Sequence, residues 1–135
     1  LFILPIFKSM NDMETLRLNC SETTWSGELD VCQVCSKPLT GKRRVFCSDK
    51  CRRWFASNHV WRFARRLARR KSKYVCSRVD CTVGREGGLE VNHIVPRLGE
   101  GYGVGCWHHQ DNLELLCHAH HVEVTAIQRA ERKQG

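Results

Sequence analysis

Nine cysteines and seven histidines stand in this chain of 135 residues, and most of the cysteines fall into short pairs. Thiolate sulfur and imidazole nitrogen are the donors that tetrahedral Zn2+ prefers. Cys32 and Cys35 form a Cys-x2-Cys pair, followed by a turn (Lys37-Pro38-Leu39-Thr40-Gly41), a short strand and the pair Cys47-x3-Cys51. Two such pairs on either side of a hairpin-sized spacer match a four-thiolate zinc site. Cys76-x4-Cys81 and Cys117-x2-His120 are the halves of a second site, set far apart by an inserted hairpin. His118 competes with His120 there, and the x2 spacing favours His120. Cys20 and Cys106 are left over without a metal role. Pairs this close read as zinc in a reducing compartment rather than as disulfides. Inside the insertion and just after it lie three further polar residues. His93 ends one apolar run, Asn112 opens another, and His121 follows the Cys-x-x-His pair. A side chain such as His93 or His121 can ligate a metal or move a proton near neutral pH.

The elements that must position these residues follow from periodicity. Leu89–Val95 is apolar and β-prone and is stopped by Pro96; Asn112–Leu116 is a second short strand. Gly99, Gly101, Gly103 and Gly105 make a glycine-rich loop between them. Residues 118–134 have a helical pattern, with Val122, Ile127 and Ala130 predicted inward and Arg129, Arg132 and Lys133 outward. Residues 50–74 read as one long helix, with Ser48-Asp49 as its N-cap and Trp54, Trp61, Ala64, Leu67 and Ala68 as its buried stripe. Glu90 shares a strand face with Asn92. A unit of roughly 60 residues buries too little apolar area to stand alone and needs staples such as zinc.

Charge is lopsided. The chain carries 22 Lys and Arg against 14 Asp and Glu, a net +8, which points to an anionic partner. Between Lys42 and Lys73 there are thirteen basic residues and one acid, Asp49. Arg62, Arg65, Arg66, Arg69 and Arg70 crowd the faces of the predicted helix outside its apolar stripe. Charges so dense and of one sign repel one another unless an anion neutralises them, and this is read as a phosphate-contacting helix. Residues 1–7 (LFILPIF) are too short for a membrane span and lack the flanks of a signal peptide. They read as an arm, residues 8–30 as a linker with a short helix over 11–18 and Trp25 as an anchor. The chain is read as a piece of a larger protein.

Taken together, Asn92-His93-Ile94-Val95-Pro96, Asn112-Leu113 and Cys117-His118-Ala119-His120-His121 resemble the motif of HNH nucleases, metal-dependent DNA-cutting enzymes of the ββα-metal class. The resemblance spans roughly residues 75–126. It implies a small zinc-stapled α+β fold: a four-Cys knuckle (31–53), the basic helix (50–74) and an HNH unit (75–135). It implies His93 as the general base that deprotonates water, Asn112 as the residue that orients the His93 loop, and His121 as a ligand of a catalytic divalent ion, most simply Mg2+. Asn92 stands where the family carries a metal-binding Asp or His, Val124 where it often carries Lys, and His120 where a zinc-binding Cys is usual. An amide oxygen attracts Mg2+ less than a carboxylate, so Glu90 is a candidate to complete the site, with His108 and His109 as further candidates.

The FCSDKCRR knuckle followed by an arginine-rich helix is also similar to the C-terminal nuclease region of annealing helicases of the zinc-finger Ran-binding-domain type. That likeness implies a nuclear protein of the replication-stress response and DNA repair, cutting branched or fork-like DNA. On this expectation His93→Ala abolishes cutting and spares the fold. The alternative is a catalytically weak or inactive zinc-stabilised DNA-binding module. A third reading has the basic face meet an acidic protein.

Overall fold

The structure, a computed structural model, describes residues 20–24, 26–97 and 104–134. The arm, most of the linker, Trp25 and three of the loop glycines (Gly99, Gly101 and Gly103) lie outside the described residues. What is described is a small α+β arrangement of a two-stranded sheet and three helices: α1 (Asp49–His59), α2 (Trp61–Lys71), β1 (Glu90–His93), β2 (Leu113–Leu116) and α3 (His118–Gln134).

Helix α1 begins as its sequence predicts. The Ser48 hydroxyl accepts from the Cys51 N–H at 3.2 Å, satisfying a donor that the first turn leaves orphaned. The single long helix expected over 50–74 is instead two, because Val60 is extended (φ −109, ψ 116) and forms an isolated bridge with Val104. The carbonyls exposed at this break find donors in the loop between the strands. The Gly105 N–H bonds the His59 carbonyl at 2.8 Å. The Gln110 side-chain amide donates to the carbonyls of Ser57 and Ala64 at 2.6 and 3.0 Å, and the Gln110 N–H donates to Asn58 Oδ1 at 3.0 Å. Tertiary partners thus override a strongly helical sequence. The buried stripe shifts accordingly: Phe55, Ala56, Ala64 and Ala68 are buried, while Trp54, Trp61 and Leu67 are only partly so.

Strands β1 and β2 pair antiparallel, Glu90 with Leu116 and His93 with Leu113 at the ends of the register. Gly87 and Gly88 lead into β1. A Cβ on Gly87 would collide with the Val83 side chain, and Gly88 closes the turn at φ 66. Ser77 docks on the free side of β2: its N–H donates to the Leu115 carbonyl at 2.7 Å and its hydroxyl accepts from the Leu115 N–H at 3.2 Å.

Helix α3 spans the expected residues but presents a different face. Val124 is buried and packs with Cys76, Leu116 and Cys117, with Cys81, Val83 and Leu89 around them. Val122, Ile127 and Ala130, expected inward, are exposed. His121 and Gln128, on the Val124 face, meet β1 instead, and Gln128 donates to the His93 carbonyl at 3.0 Å. The short strand expected between the two pairs of the first knuckle is absent among the described residues; a single bridge, Val31 with Pro38, holds that turn.

Candidate functional site

Among the described residues three Cys/His groups could hold metal ions, each with its four ligand atoms within 4.8 Å of one another, and their donors are consistent with zinc. The first is Cys32, Cys35, Cys47 and Cys51, as the spacing predicts. Its sulfurs lie 3.5 Å (Cys35–Cys47), 3.7 Å (Cys47–Cys51) and 3.9 Å (Cys35–Cys51) apart. A tetrahedron with zinc–sulfur bonds near 2.3 Å has edges of about 3.8 Å, whereas a disulfide would need about 2.0 Å. Burial pushes the Cys32 thiol up, but the backbone N–H groups of Cys35, Cys47 and Val34 outweigh it and bring it down to about 7. Cys51 moves the other way, to about 12: burial raises it, the Ser48 hydroxyl opposes this, and the crowding sulfurs of Cys47, Cys32 and Cys35 add to it. Four thiolates in one place need a cation, and the opposed shifts express that need.

The second group is Cys76, Cys81, Cys117 and His120. His120 Nδ1 lies 3.4 Å from Cys76 Sγ and 3.2 Å from Cys117 Sγ. Cys76 sits in the apolar cluster, where burial raises its thiol. The N–H groups of Arg78 and Cys117 and the His120 ring overcome that and lower it to about 6. This group ties the knuckle at 76–81 to the junction of β2 and α3.

The third group, Cys20, His59, Cys106 and His109, has no counterpart in the sequence reading, where Cys20 and Cys106 have no metal role. One signal was present: Cys106-x2-His109 has the same spacing as Cys117-x2-His120. Its partners Cys20 and His59 are isolated in the chain, so no local pattern connects them. Burial pushes His59 down to about 4, against the Phe55 carbonyl, and the rings of His109 and His108 push it further. Cys106 is raised to about 12, first by burial and then by its neighbour Cys20.

The hairpin carries the remaining candidates, divided between its faces. On the α3 face, Glu90 Oε2 lies 3.2 Å from His121 Nδ1 and 3.6 Å from His118 Nδ1. Asn92, two residues along, donates to Glu114 Oε1 at 3.1 Å across the strand pair. Two carboxylates, an amide and an imidazole thus lie on one face, joined pairwise as Glu90–His121 and Asn92–Glu114. On the opposite face His93 is buried. Its Nε2 shares a hydrogen bond of 2.9 Å with Nδ1 of the buried His108. Trp61 stacks on the His93 ring at 4.9 Å between centroids and 26° between planes. Burial, then the charge of Arg97, lowers His93 to about 4, so its ring is neutral at physiological pH.

Asn112 lies between the strand ends. Its Oδ1 accepts from the Val95 N–H at 2.8 Å, and its Nδ2 donates to the carbonyls of Val95 and Trp107 at 3.1 and 2.9 Å. It therefore pins the turn that follows His93. Of the three motif residues, the structure brings Asn112 to the His93 turn and His121 to Glu90, with the His93 ring on the other face of β1. His108 contacts His93, and His109 belongs to the third group.

Comparison with family models, with curated proteins and with solved structures gives no match.

Near the site, Arg62, Arg65, Arg66 and Arg70 on α2 are exposed and Arg69 is half-buried. Among the described residues none of the five forms an ion pair with a carboxylate. Trp61, the first residue of α2, ties this basic helix to the His93 face. No described helix is long and apolar enough to cross a membrane.

Proposed function

We propose that this chain is a metal-dependent DNA endonuclease unit of the HNH type. It would hydrolyse phosphodiester bonds in branched or fork-like DNA, within a larger nuclear protein of replication stress or repair. The reading is supported by two polar pairs on one face of a short hairpin, Glu90 with His121 and Asn92 with Glu114, beside a helix that starts at a zinc-type Cys/His group. A divalent ion held there would act as a Lewis acid toward the scissile phosphate. Glu90 supplies the carboxylate that Asn92 lacks, and the Asn112 amide fixes the turn after His93. Arg62, Arg65, Arg66, Arg69 and Arg70 would take backbone phosphates through interactions that are largely blind to sequence, leaving selectivity to DNA shape.

For His93 to act as the base, its ring must leave the pocket formed by Trp61 and His108 and turn toward the Glu90 face. That requirement favours a second reading on a specific observation, the buried His93–His108 pair. There the same scaffold binds DNA and does not cut it.

Nicking assays on plain, branched and forked duplexes with Mg2+ separate the two. Cutting that is lost in Glu90→Gln and His121→Ala, with zinc content unchanged, supports the nuclease. Binding without nicking on every DNA structure leaves the binding module. In either case Arg62/Arg66/Arg69→Glu weakens DNA binding and flattens its salt dependence by about 0.9 in log–log slope for each phosphate no longer neutralised. Indifference to those changes removes DNA from the account and favours an acidic protein partner.

A further inference from the structure

We propose that Cys20, His59, Cys106 and His109 bind a third zinc ion, which clamps the N-terminal segment and the loop between the strands onto the end of α1. This clamp stands whether or not the hairpin cuts DNA.

The positions of the ring protons point to the ion. His59 Nδ1 lies 2.9 Å from the Phe55 carbonyl oxygen, which can only accept, so that nitrogen carries the proton. His109 Nδ1 faces Glu22 Oε1 at 3.2 Å, which fixes its proton in the same way. Each neutral ring then presents a bare Nε2 lone pair, and these two nitrogens face each other at 3.0 Å. Two lone pairs at that distance repel unless something positive lies between them. Cys20 Sγ lies 3.2 Å from Nε2 of His59 and 3.6 Å from Nε2 of His109, and Cys106 Sγ completes the set within 4.8 Å. One thiol proton cannot satisfy both lone pairs. A single divalent cation satisfies all four atoms at once.

The donor set selects the ion. Two thiolates and two imidazoles are borderline-soft, and four protein ligands close the coordination sphere, as in a structural zinc site. Tetrahedral bonds of about 2.0 Å to nitrogen and about 2.3 Å to sulfur imply edges of about 3.3 to 3.8 Å, close to the separations observed. Two thiolates neutralise Zn2+, which suits a centre where Cys20 and His59 are buried. The outer partners are those that orient metal-bound imidazoles elsewhere, a carbonyl behind one ring and a carboxylate behind the other.

The clamp joins three segments, adding Cys20 to the hydrogen bonds that already tie the loop to α1. Cys20 lies 39 residues before His59 and 89 before His109. The clamp also reinforces the loop where it overrides the helix at Val60, since Cys106 and His109 lie between Gly105 and Gln110, which bond α1 there. His108 sits inside that turn and meets His93, so the same ion sets the floor under His93. With this site, each of the nine cysteines belongs to a metal group.

The test is the metal content and ligand set of the whole chain. Elemental analysis is expected to give three zinc ions per chain, matching the three groups. Zinc X-ray absorption should then average nine sulfurs and three nitrogens over three ions, where two ions alone would average seven and one. That readout uses the unaltered protein and survives any variant that fails to fold. Cys106→Ser and His109→Ala should each lose one zinc, keep the other two, and lose hydrogen-exchange protection in residues 104–112. Two zinc ions in the unaltered chain, with the seven-to-one ligand ratio or a Cys20–Cys106 disulfide in the mass spectrum, would overturn the proposal.

Discussion

The two faces of β1 are built from alternate residues of one four-residue strand and have opposite characters. Val91 and His93 face α2, where His93 is stacked under Trp61 and paired with a buried histidine. Glu90 and Asn92 face α3, where Glu90 meets the partly exposed His121 and Asn92 is buried against Glu114. Asn92 and His93 are adjacent in the chain, yet the two-residue period of a strand sends them to opposite sides. The contrast teaches that sequence adjacency in a motif does not make a shared site; the backbone at the end of the strand decides. One face is closed by aromatic stacking; on the other, polar pairs lie beside the packing of Leu116 on Val124.

Both faces hang on the Cys/His group at the β2–α3 junction, so its removal should abolish the contrast altogether. Strong chelation, or Cys117→Ser, is expected to unfold the chain cooperatively, since structural zinc in small domains contributes on the order of 10 kcal/mol. Circular dichroism against chelator concentration checks this, and a folded apo chain would break the dependence of both faces on that group. The His93 face should yield the next largest effect. His93→Ala leaves a void beneath Trp61 and removes the hydrogen bond to His108, costing about 2–4 kcal/mol in denaturant unfolding. The burial of His93 sets this outcome against the expectation that the change spares the fold, and the unfolding midpoint decides between them.

Acid sharpens the comparison further. The folded His93 has its pKa lowered to about 4 from the ordinary 6.5, so the unfolded chain binds the proton more readily. Stability from this group is full above about pH 6.5 and is lost as pH falls from there toward 4. The difference in melting temperature between the unaltered chain and His93→Gln should narrow across that window. The smallest effect on stability belongs to the other face. Glu90→Gln should change unfolding by no more than about 0.5 kcal/mol, as an exposed ion pair with His121 predicts. A large destabilisation there would mean that the Glu90 side chain is itself part of the packed interior.

The zinc-type groups at Cys32–Cys51 and Cys76–His120 were legible because thiol spacing is a local signal that survives any tertiary arrangement. The ends of α3 and the order strand, loop, strand, helix were legible from periodicity. The break at Val60 was not, because it is imposed by Val104, Gly105 and Gln110 from some fifty residues away, and α1 and α2 are each good helix in isolation. The third metal group was hidden for the same reason: only its Cys106–His109 half is local. The inward face of α3 was misread because Val122 and Ile127 are apolar yet exposed, whereas the space beside Leu116 and Cys117 admits Val124.

Ser77 carries a consequence for how copies of this chain behave together. Among the described residues the sheet has two strands, which leaves β2 with an outer row of peptide groups that another chain could zip onto. The outward N–H and C=O of Leu115 are both taken by Ser77. The knuckle that gathers thiols thus also blunts the edge, denying a neighbouring molecule the foothold from which strand-by-strand aggregation begins.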